Sequence, residues 1–319
     1  MRTLLGILVT LALVGLLFLT GARLVDWDWK PTILLASFSS YALLGYAVAL
    51  VLCALLVRGA RRRWLPVLGV LVAAVGIAAH AWWWAPQLTA TDRAGGADLT
   101  VMSANLHFGR GDTVEVVRTV AESSVDVIVL QEVTASAEAR LERAGLAALL
   151  PYRAGRPAED ASGTMVWSSY PLTDPRPLAL GNGGLDVRVG ASEPFRLLAV
   201  HTSMPLASSD GWSRDLRTLQ ARAAASVEEG PTLLAGDFNA TFDHAQLRKV
   251  LDVGLRDAAE QSGAGWQPTW PTRYRRDWLS PLIAIDHVLA GESYVASRTR
   301  TVEITDTDHL ALVADLEQR

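Results

Sequence analysis

The sequence predicts a mixed α/β domain carried behind three membrane-spanning helices, and three observations lead to that reading. Apolar runs dominate the first 90 of the 319 residues. From Leu99 onward, short apolar segments of strand length alternate with amphipathic segments of helix length. The strand-like segments repeatedly end in Asn, Glu, His or Asp, at the sheet edge where open α/β folds place their ligands.

Leu4–Thr20 is the first apolar run, long enough to cross a bilayer core. It follows Arg2 but ends in Gly21-Ala22-Arg23 without a small-x-small cleavage site, so it reads as a retained helix and not as a removed leader. Thr32–Val57 and Trp64–Trp84 are the second and third predicted spans. The turn between them, Arg58-Gly59-Ala60-Arg61-Arg62-Arg63, holds four arginines, which places it in the cytoplasm and everything after Trp84 outside. Trp27 and Trp29 would then share an outer interfacial belt with Trp82, Trp83 and Trp84. Residues 1–88 are read as the anchor, 89–98 as a short Gly-containing linker, and 99–319 as the catalytic domain.

Charge divides along the same line. Residues 1–90 hold seven Lys/Arg against two Asp, a net of +5; the whole chain carries −4, which leaves −9 for residues 91–319. So acidic a domain is a poor general binder of polyanions, which argues against a DNA-coating role. The one cysteine, Cys53, lies within an apolar run, so the remainder has no disulfide framework.

Within the domain, strands are predicted at Leu99–Ala104, Asp126–Gln131, Thr164–Trp167, Phe195–Val200, Thr232–Ala235, Ile283–Leu289 and Leu310–Asp315. Helices are predicted at Thr113–Ser123, Ala135–Leu150 and Leu216–Glu229. The most informative stretch is Leu233-Leu234-Ala235-Gly236-Asp237-Phe238-Asn239. Its apolar residues end a buried strand, Gly236 interrupts it, and Asp237 and Asn239 at i and i+2 share one face. Alone, this fits an Asx-type turn as well as a site. Asn105, Glu132, His201, Asp286 and Asp308-His309 stand at comparable strand ends. Together they supply the hard oxygen ligands and proton carriers that metal-assisted phosphoester hydrolysis requires.

The ordered set Asn105, Gln131-Glu132, His201, Gly236-Asp237-Phe238-Asn239, Ile285-Asp286-His287 and Asp308-His309 resembles the endonuclease/exonuclease/phosphatase superfamily over roughly residues 98–318. The resemblance implies an α+β fold, a four-layer α/β/β/α sandwich. It also implies a Mg²⁺ cofactor, with Mn²⁺ as a substitute, held by Glu132 with Asn105 and Asp308. By the same resemblance His309 is the base, oriented by Asp286; Asp237 places the nucleophile; Asn239 holds a phosphate oxygen; and His201 protonates the leaving oxygen or stabilises the phosphate. The sequence departs from the usual pattern at Thr202-Ser203-Met204-Pro205 after His201 and at Thr307 before Asp308-His309.

Other residues are less determined. His107, two residues past Asn105, reads as either facing the cleft or a solvated loop histidine, His287 as a core or supporting residue, and Tyr152 as either a phosphate contact or a packed surface aromatic. Gly265–Ile283 is either an amphiphilic surface loop or a substrate-selecting one, in which Arg273 and Arg276 would meet phosphate. The layout of a helical anchor before this domain is similar to membrane proteins linked to teicoplanin and vancomycin resistance in actinomycetes. The expected function is therefore hydrolysis of a lipid or cell-envelope phosphoester at the membrane. A membrane-anchored nuclease and a non-catalytic sensing domain are the alternatives.

Overall fold

The computed structural model describes residues 2–58, 64–90, 97–272 and 281–319. The chain forms two compact units, Met1–Pro86 with Phe242–Ala245, and Gln87–Thr241 with Gln246–Arg319.

The first unit contains α1 (Arg2–Leu24), α2 (Lys30–Ala36), α3 (Ala42–Val57) and α4 (Trp64–Leu88). Three helical stretches, Thr3–Leu24, Ser39–Val57 and Trp64–Leu88, are long and apolar enough to cross a membrane. Leu4, Leu8, Leu11, Phe18, Leu44 and Leu71 are exposed on them, which is how helices look when lipid and not protein covers them. Inside, small residues permit close approach: a Cβ on Gly76 would meet the Tyr46 ring at 2.6 Å, and one on Gly69 would meet Cys53 Sγ at 2.6 Å. Polar groups in this interior pair with each other, Thr20 Oγ1 meeting Tyr46 Oη at 2.9 Å and His80 Nε2 at 3.1 Å.

The second predicted span is not one helix. It breaks between α2 and α3 at a 3-10 turn, Ser39–Tyr41. The break coincides with a tertiary contact: Ser40 donates its backbone N–H (2.9 Å) and its hydroxyl (2.5 Å) to Asp243, which also pairs with Arg23. Serine side chains offer the backbone an alternative to continued helix. Of the predicted cytoplasmic arginine turn, only Arg58 falls within the described residues.

The second unit continues with β1 (Leu99–Asn105), α5 (Thr113–Glu122), β2 (Val127–Gln131), α6 (Ala135–Arg143), α7 (Leu146–Leu149), β3 (Tyr152–Gly155), β4 (Met165–Ser168), β5 (Leu172–Pro177), β6 (Gly184–Val189) and β7 (Phe195–His201). Then follow α8 (Ser209–Glu229), β8 (Thr232–Asp237), α9 (Ala245–Leu251), β9 (Arg256–Asp257), α10 (Ala258–Gln261), β10 (Asp286–Ala290), β11 (Tyr294–Glu303) and β12 (Leu310–Gln318). The strands form two six-stranded sheets, β11-β12-β1-β2-β4-β3 and β5-β6-β7-β8-β10-β9.

Strand alternation builds the layers. Val101, Val127 and Val129 of the first sheet point inward and pack with Val187, Leu197, Leu233, Ala235 and Val288 of the second. Their neighbours Met102, Ala104, Ile128 and Leu130 point outward onto Val116 and Val120 of α5 and Ala137 and Leu141 of α6. On the far side, α8 lies against β8 with Trp212, Leu216, Leu219 and Ala223 buried. The result is the α/β/β/α sandwich.

Candidate active site

Strand register assembles most of the site. β7 runs parallel to β8 with His201 opposite Asp237, and β8 runs antiparallel to β10 with Asp237 opposite Asp286. Three ionisable residues widely separated in sequence therefore lie on one rung of the second sheet. In the first sheet, Asn105 stands opposite Gln131, directly before Glu132. Thr307 ties the last motif to this edge by donating its hydroxyl to the Asn105 carbonyl at 2.7 Å.

Backbone strain marks the same places. Glu132 has φ 56 and Asn239 has φ 47, left-handed values uncommon for residues other than glycine. Gly236 has φ 149, and a Cβ there would lie 2.0 Å from the Val200 carbonyl oxygen, so only glycine lets β8 pass β7 this closely. The turn that follows is tied by the Asn239 N–H, which donates to Asp237 Oδ1 at 2.8 Å.

Asn105 bridges the two sheets. Its Nδ2 donates to Glu132 Oε1 (3.1 Å) and Asp237 Oδ2 (3.2 Å), while its Oδ1 accepts the His107 N–H (2.9 Å). The carboxamide oxygen, the atom a metal would use, is thus engaged by the backbone. Phe108 N–H donates to Glu132 Oε2 at 2.7 Å. His107 contradicts the expectation of a solvated loop histidine, because its Nδ1 lies 2.5 Å from Asp308 Oδ1. Asp308 Oδ2 accepts from Trp270 Nε1 at 3.2 Å. Burial would raise the Asp308 carboxyl, but the hydrogen bond and charge of His107 and the charge of His309 hold it down to about 2.

His309 is buried, with Nδ1 2.9 Å from Asp286 Oδ2 and Nε2 3.7 Å from Asp237 Oδ2. Burial would lower its pKa, yet the flanking carboxylates, Asp286 first, hold it up to about 10, so it is an imidazolium at neutral pH. Asp237 is pushed up to about 7, chiefly by burial and then by the charge of Asp286. His201 goes the other way, down to about 4, through burial and the nearby His309 charge. Its Nδ1 lies 3.0 Å from the Ala161 carbonyl, which can only accept, so Nδ1 carries the proton. Nε2 then accepts from Asn182 Nδ2 (3.3 Å) and faces Asp237 Oδ2 (3.6 Å) and Glu132 Oε1 (3.9 Å).

Asn239 Nδ2 donates to the Thr202 carbonyl at 3.0 Å. His287 stands on the opposite sheet face, with Nδ1 2.8 Å from Asp257 and Nε2 2.8 Å from the Ala240 carbonyl, a supporting position below the turn. Arg273 and Arg276 lie outside the described residues. Tyr152 is exposed on β3 at the edge of the first sheet.

The donor set suits a hard divalent cation. Glu132 and Asp237 share the Asn105 amide, and ligand atoms of Asp237, Asp286 and His309 lie within 4.8 Å of one another. Asp286 Oδ1 is buried without a hydrogen-bond partner among the described residues, and the raised Asp237 carboxyl signals negative charge in need of a counter-ion. The Asp237–Asp286–His309 trio is the tightest group, but His309 already gives Nδ1 to Asp286.

Carboxylates and histidines gathered from both sheets at one end of an α/β/β/α sandwich define a metal-dependent phosphoric ester hydrolase. A family comparison gives the class its family: the chain belongs to the Endonuclease/Exonuclease/phosphatase family, whose model matches residues 102–309. A search of curated proteins finds no significant sequence match. Solved structures share the fold. D. rerio TDP2 complexed with single-strand DNA product is 16% identical with a TM-score of 0.57, covering 69% of this chain and 99% of that one. A mannosyl-6-phosphatase of Bacteroides thetaiotaomicron is 15% identical at 0.52, covering 69% and 100%. A family protein from Beutenbergia cavernae is 21% identical at 0.50, covering 70% and 72%.

Three residues of the site carried no signal in the sequence. Asn182 and Ala161 sit in loops whose ends are fixed only by sheet pairing, and Trp270 was one aromatic among several in its loop.

Proposed function

We propose that this protein is a membrane-anchored, Mg²⁺-dependent phosphoesterase whose catalytic domain faces away from the cytoplasm and hydrolyses a phosphate ester or diphosphate of a lipid or cell-envelope intermediate. The observation that carries this reading is the presence, in one chain, of the His309–Asp286–Asp237–His201 cluster and three helices able to cross a membrane. Anchoring holds an enzyme near lipid head groups, a gain that a nuclease acting on dissolved polymers would not share. The −9 charge of residues 91–319 also disfavours nucleic acid. The resemblance in layout to glycopeptide-resistance membrane proteins, read from the sequence, is what suggests prenyl-linked cell-wall intermediates.

Glu132 and Asp308 would hold the cation, Mg²⁺ or Mn²⁺, and Asn105 would fix the Glu132 carboxylate. When bound, the cation supplies positive charge that stabilises the phosphoryl oxygens as negative charge builds. The remaining work falls to the chain itself. Asp237, a buried carboxylate whose pKa burial and the Asp286 charge raise, is the base proposed for the attacking water. His309, kept charged by Asp286, places a fixed positive charge beside Asp237 where phosphoryl oxygens collect. This exchanges the tasks that the family resemblance gave to His309 and Asp237. His201 is neutral until an anionic ester approaches Nε2; the ester's charge raises its affinity for a proton, which it then delivers to the leaving oxygen. Asn239 orients the Asp237 turn and, on the family resemblance, would hold a phosphate oxygen.

The test is a substrate panel with the full chain in detergent and Mg²⁺: prenyl diphosphates, phospholipids, sphingomyelin, and single-stranded and duplex DNA. Release of phosphate or head group from a lipid supports the reading. Cleavage of DNA alone overturns it in favour of a nuclease. Reporter fusions after Trp84 that are active only in the cytoplasm would overturn the outward placement.

A further inference from the structure

A buried carboxylate outside the catalytic cluster joins the two loops that flank His201. Asp215 lies in the second turn of α8, 4% exposed, on the face that also carries Trp212, Leu216 and Leu219. Its Oδ2 accepts three hydrogen bonds, from the Gly181 N–H at 2.9 Å, the Ser203 N–H at 2.7 Å and the Ser203 hydroxyl at 2.8 Å. Gly181 belongs to the loop between β5 and β6, and Ser203 to the loop after β7. A Cβ on Gly181 would meet Ser203 Oγ at 2.0 Å and Asp215 Oδ2 at 3.2 Å, so the approach of these loops requires a glycine. Burying a carboxylate is costly unless hydrogen bonds replace its water, and an apolar side chain would fill this place on α8 without that cost. The three bonds run to the loops, not to the helix itself.

Each residue that Asp215 holds is the neighbour of a residue at the site: Asn182 follows Gly181, and Thr202 precedes Ser203. Asn182 Nδ2 lies 3.0 Å from the Thr202 carbonyl and 3.3 Å from His201 Nε2. A carbonyl only accepts, which fixes the amide: its nitrogen, and not its oxygen, faces the ring. One N–H goes to Thr202 and the other to Nε2. Across the ring, Nδ1 meets the Ala161 carbonyl at 3.0 Å. The imidazole is therefore held between an acceptor at Nδ1 and a donor at Nε2. Thr202 has its own ties to the catalytic turn, its hydroxyl donating to the Phe238 carbonyl at 2.6 Å and its N–H to the Asp237 carbonyl at 3.1 Å. The Asn182 loop is closed on itself by Leu178 N–H to Gly184 and Gly183 N–H to Leu180. Asp215 is what draws that loop against the one after β7.

We propose that Asp215 is a positioning residue for the reaction: by clamping Gly181 to Ser203 it sets the Asn182 amide against His201 Nε2, and so fixes the ring that serves the leaving oxygen. The leaving-oxygen role rests on the phosphoesterase reading above; the clamp itself does not. The first readout is the ¹⁵N resonance of the unprotonated His201 Nε2 in full-length protein in detergent, which shifts when a hydrogen bond to that nitrogen is lost. Asn182→Ala removes the donor and sets the reference position. Asp215→Ala moves the resonance to that position, and Asp215→Asn, which keeps an acceptor oxygen, leaves it where wild type has it. Gly181→Ala, whose Cβ displaces Ser203, moves it as Asp215→Ala does and carries the test should loss of the carboxylate unfold the domain.

Turnover of phenyl phosphate and p-nitrophenyl phosphate in Mg²⁺ is the second readout. Asp215→Ala and Asn182→Ala each lower kcat on phenyl phosphate about tenfold with KM within about threefold of wild type. Both lose less on the nitrophenyl ester, whose leaving oxygen has less need of a proton. The double variant falls about tenfold, not about a hundredfold, because the two residues act through one contact. A resonance unmoved in Asn182→Ala or in Gly181→Ala overturns the proposal, as does one unmoved in a folded Asp215→Ala. A loss carried by KM, or a double variant about a hundredfold down, makes Asp215 a packing residue of α8 and overturns it as well. Resonances that move as expected in a protein that cleaves neither ester uphold the clamp and remove only the phosphoesterase reading.

Discussion

Replacing Asp286 by asparagine removes the charge that keeps His309 protonated while preserving the side chain's size. Burial pulls the His309 pKa down, yet the flanking carboxylates lift it from 6.5 to about 10. At about 1.36 kcal/mol per pH unit, that rise corresponds to roughly 5 kcal/mol in favour of the imidazolium, to be divided among Asp286, Asp237 and Asp308. Asp286 contributes the leading charge and the 2.9 Å hydrogen bond. Losing its charge lowers the His309 pKa by on the order of 2 pH units, as expected for removal of one buried opposite charge. With its pKa then near roughly 8, the imidazole stays mostly protonated at pH 7 but not at pH 9, so kcat/KM of the variant holds near wild type at pH 7 and falls about tenfold below it at pH 9. The assays are an NMR titration of the His309 ring and a pH–rate profile for wild type and Asp286→Asn. An unmoved His309 titration together with kcat/KM still within about threefold of wild type at pH 9 would refute the reasoning.

The remaining predictions concern the metal, the backbone, the leaving group and pH. Glu132→Gln weakens Mg²⁺ or Mn²⁺ binding by roughly 10–100-fold in calorimetry, the scale seen when groups around a metal are removed, while the circular dichroism spectrum is unchanged. Gly236→Ala forces a Cβ to 2.0 Å from the Val200 carbonyl at φ 149. It destabilises the domain by about 3 kcal/mol, read as a lower urea midpoint with unchanged slope. His201→Gln lowers kcat by roughly 10²–10⁴ on esters with poor leaving groups, with a much smaller loss on nitrophenyl esters. In metal-free protein, His309 adds stability that is complete below about 6.5 and disappears as pH rises through about 10. Asp308 acts with the opposite sign: its contribution is present above its unfolded value of about 3.9 and is lost as pH falls toward 2. Chemical denaturation across pH without metal should show both flanks.

The parts of this fold that were legible in the sequence are those where a local pattern states its own environment. β1, β2, β7 and β8 are largely apolar because both of their faces are covered, and each ends in a polar residue at the site. What escaped was written in tertiary terms. β5 is exposed and carries Pro175 and Pro177, and β11 alternates only weakly, so neither resembles a buried strand. The predicted helix Ala135–Leu150 is interrupted at Gly145, whose φ of 98 ends one helix and starts another. The break in the second span coincides with a contact to Asp243, about 200 residues away in the chain. At the site, the strand-end polar residues were visible one by one, but the rung joining His201, Asp237 and Asp286 is a fact of register. The proton positions depend on burial that no spacing reveals. His107 had no visible partner because its partner, Asp308, lies at the other end of the domain.

The central claim is that Glu132, Asp237 and His309 belong to one metal-dependent phosphoesterase centre in a membrane-anchored chain. It is tested most directly by following phosphate release from a prenyl diphosphate or phospholipid by ³¹P NMR. Full-length wild type, Glu132→Ala and His309→Ala are compared with Mg²⁺ and with EDTA. The account predicts release by wild type in Mg²⁺, none in EDTA, and a loss of at least roughly 10²-fold in each variant. Release that continues in EDTA, or that either substitution leaves intact, would contradict it.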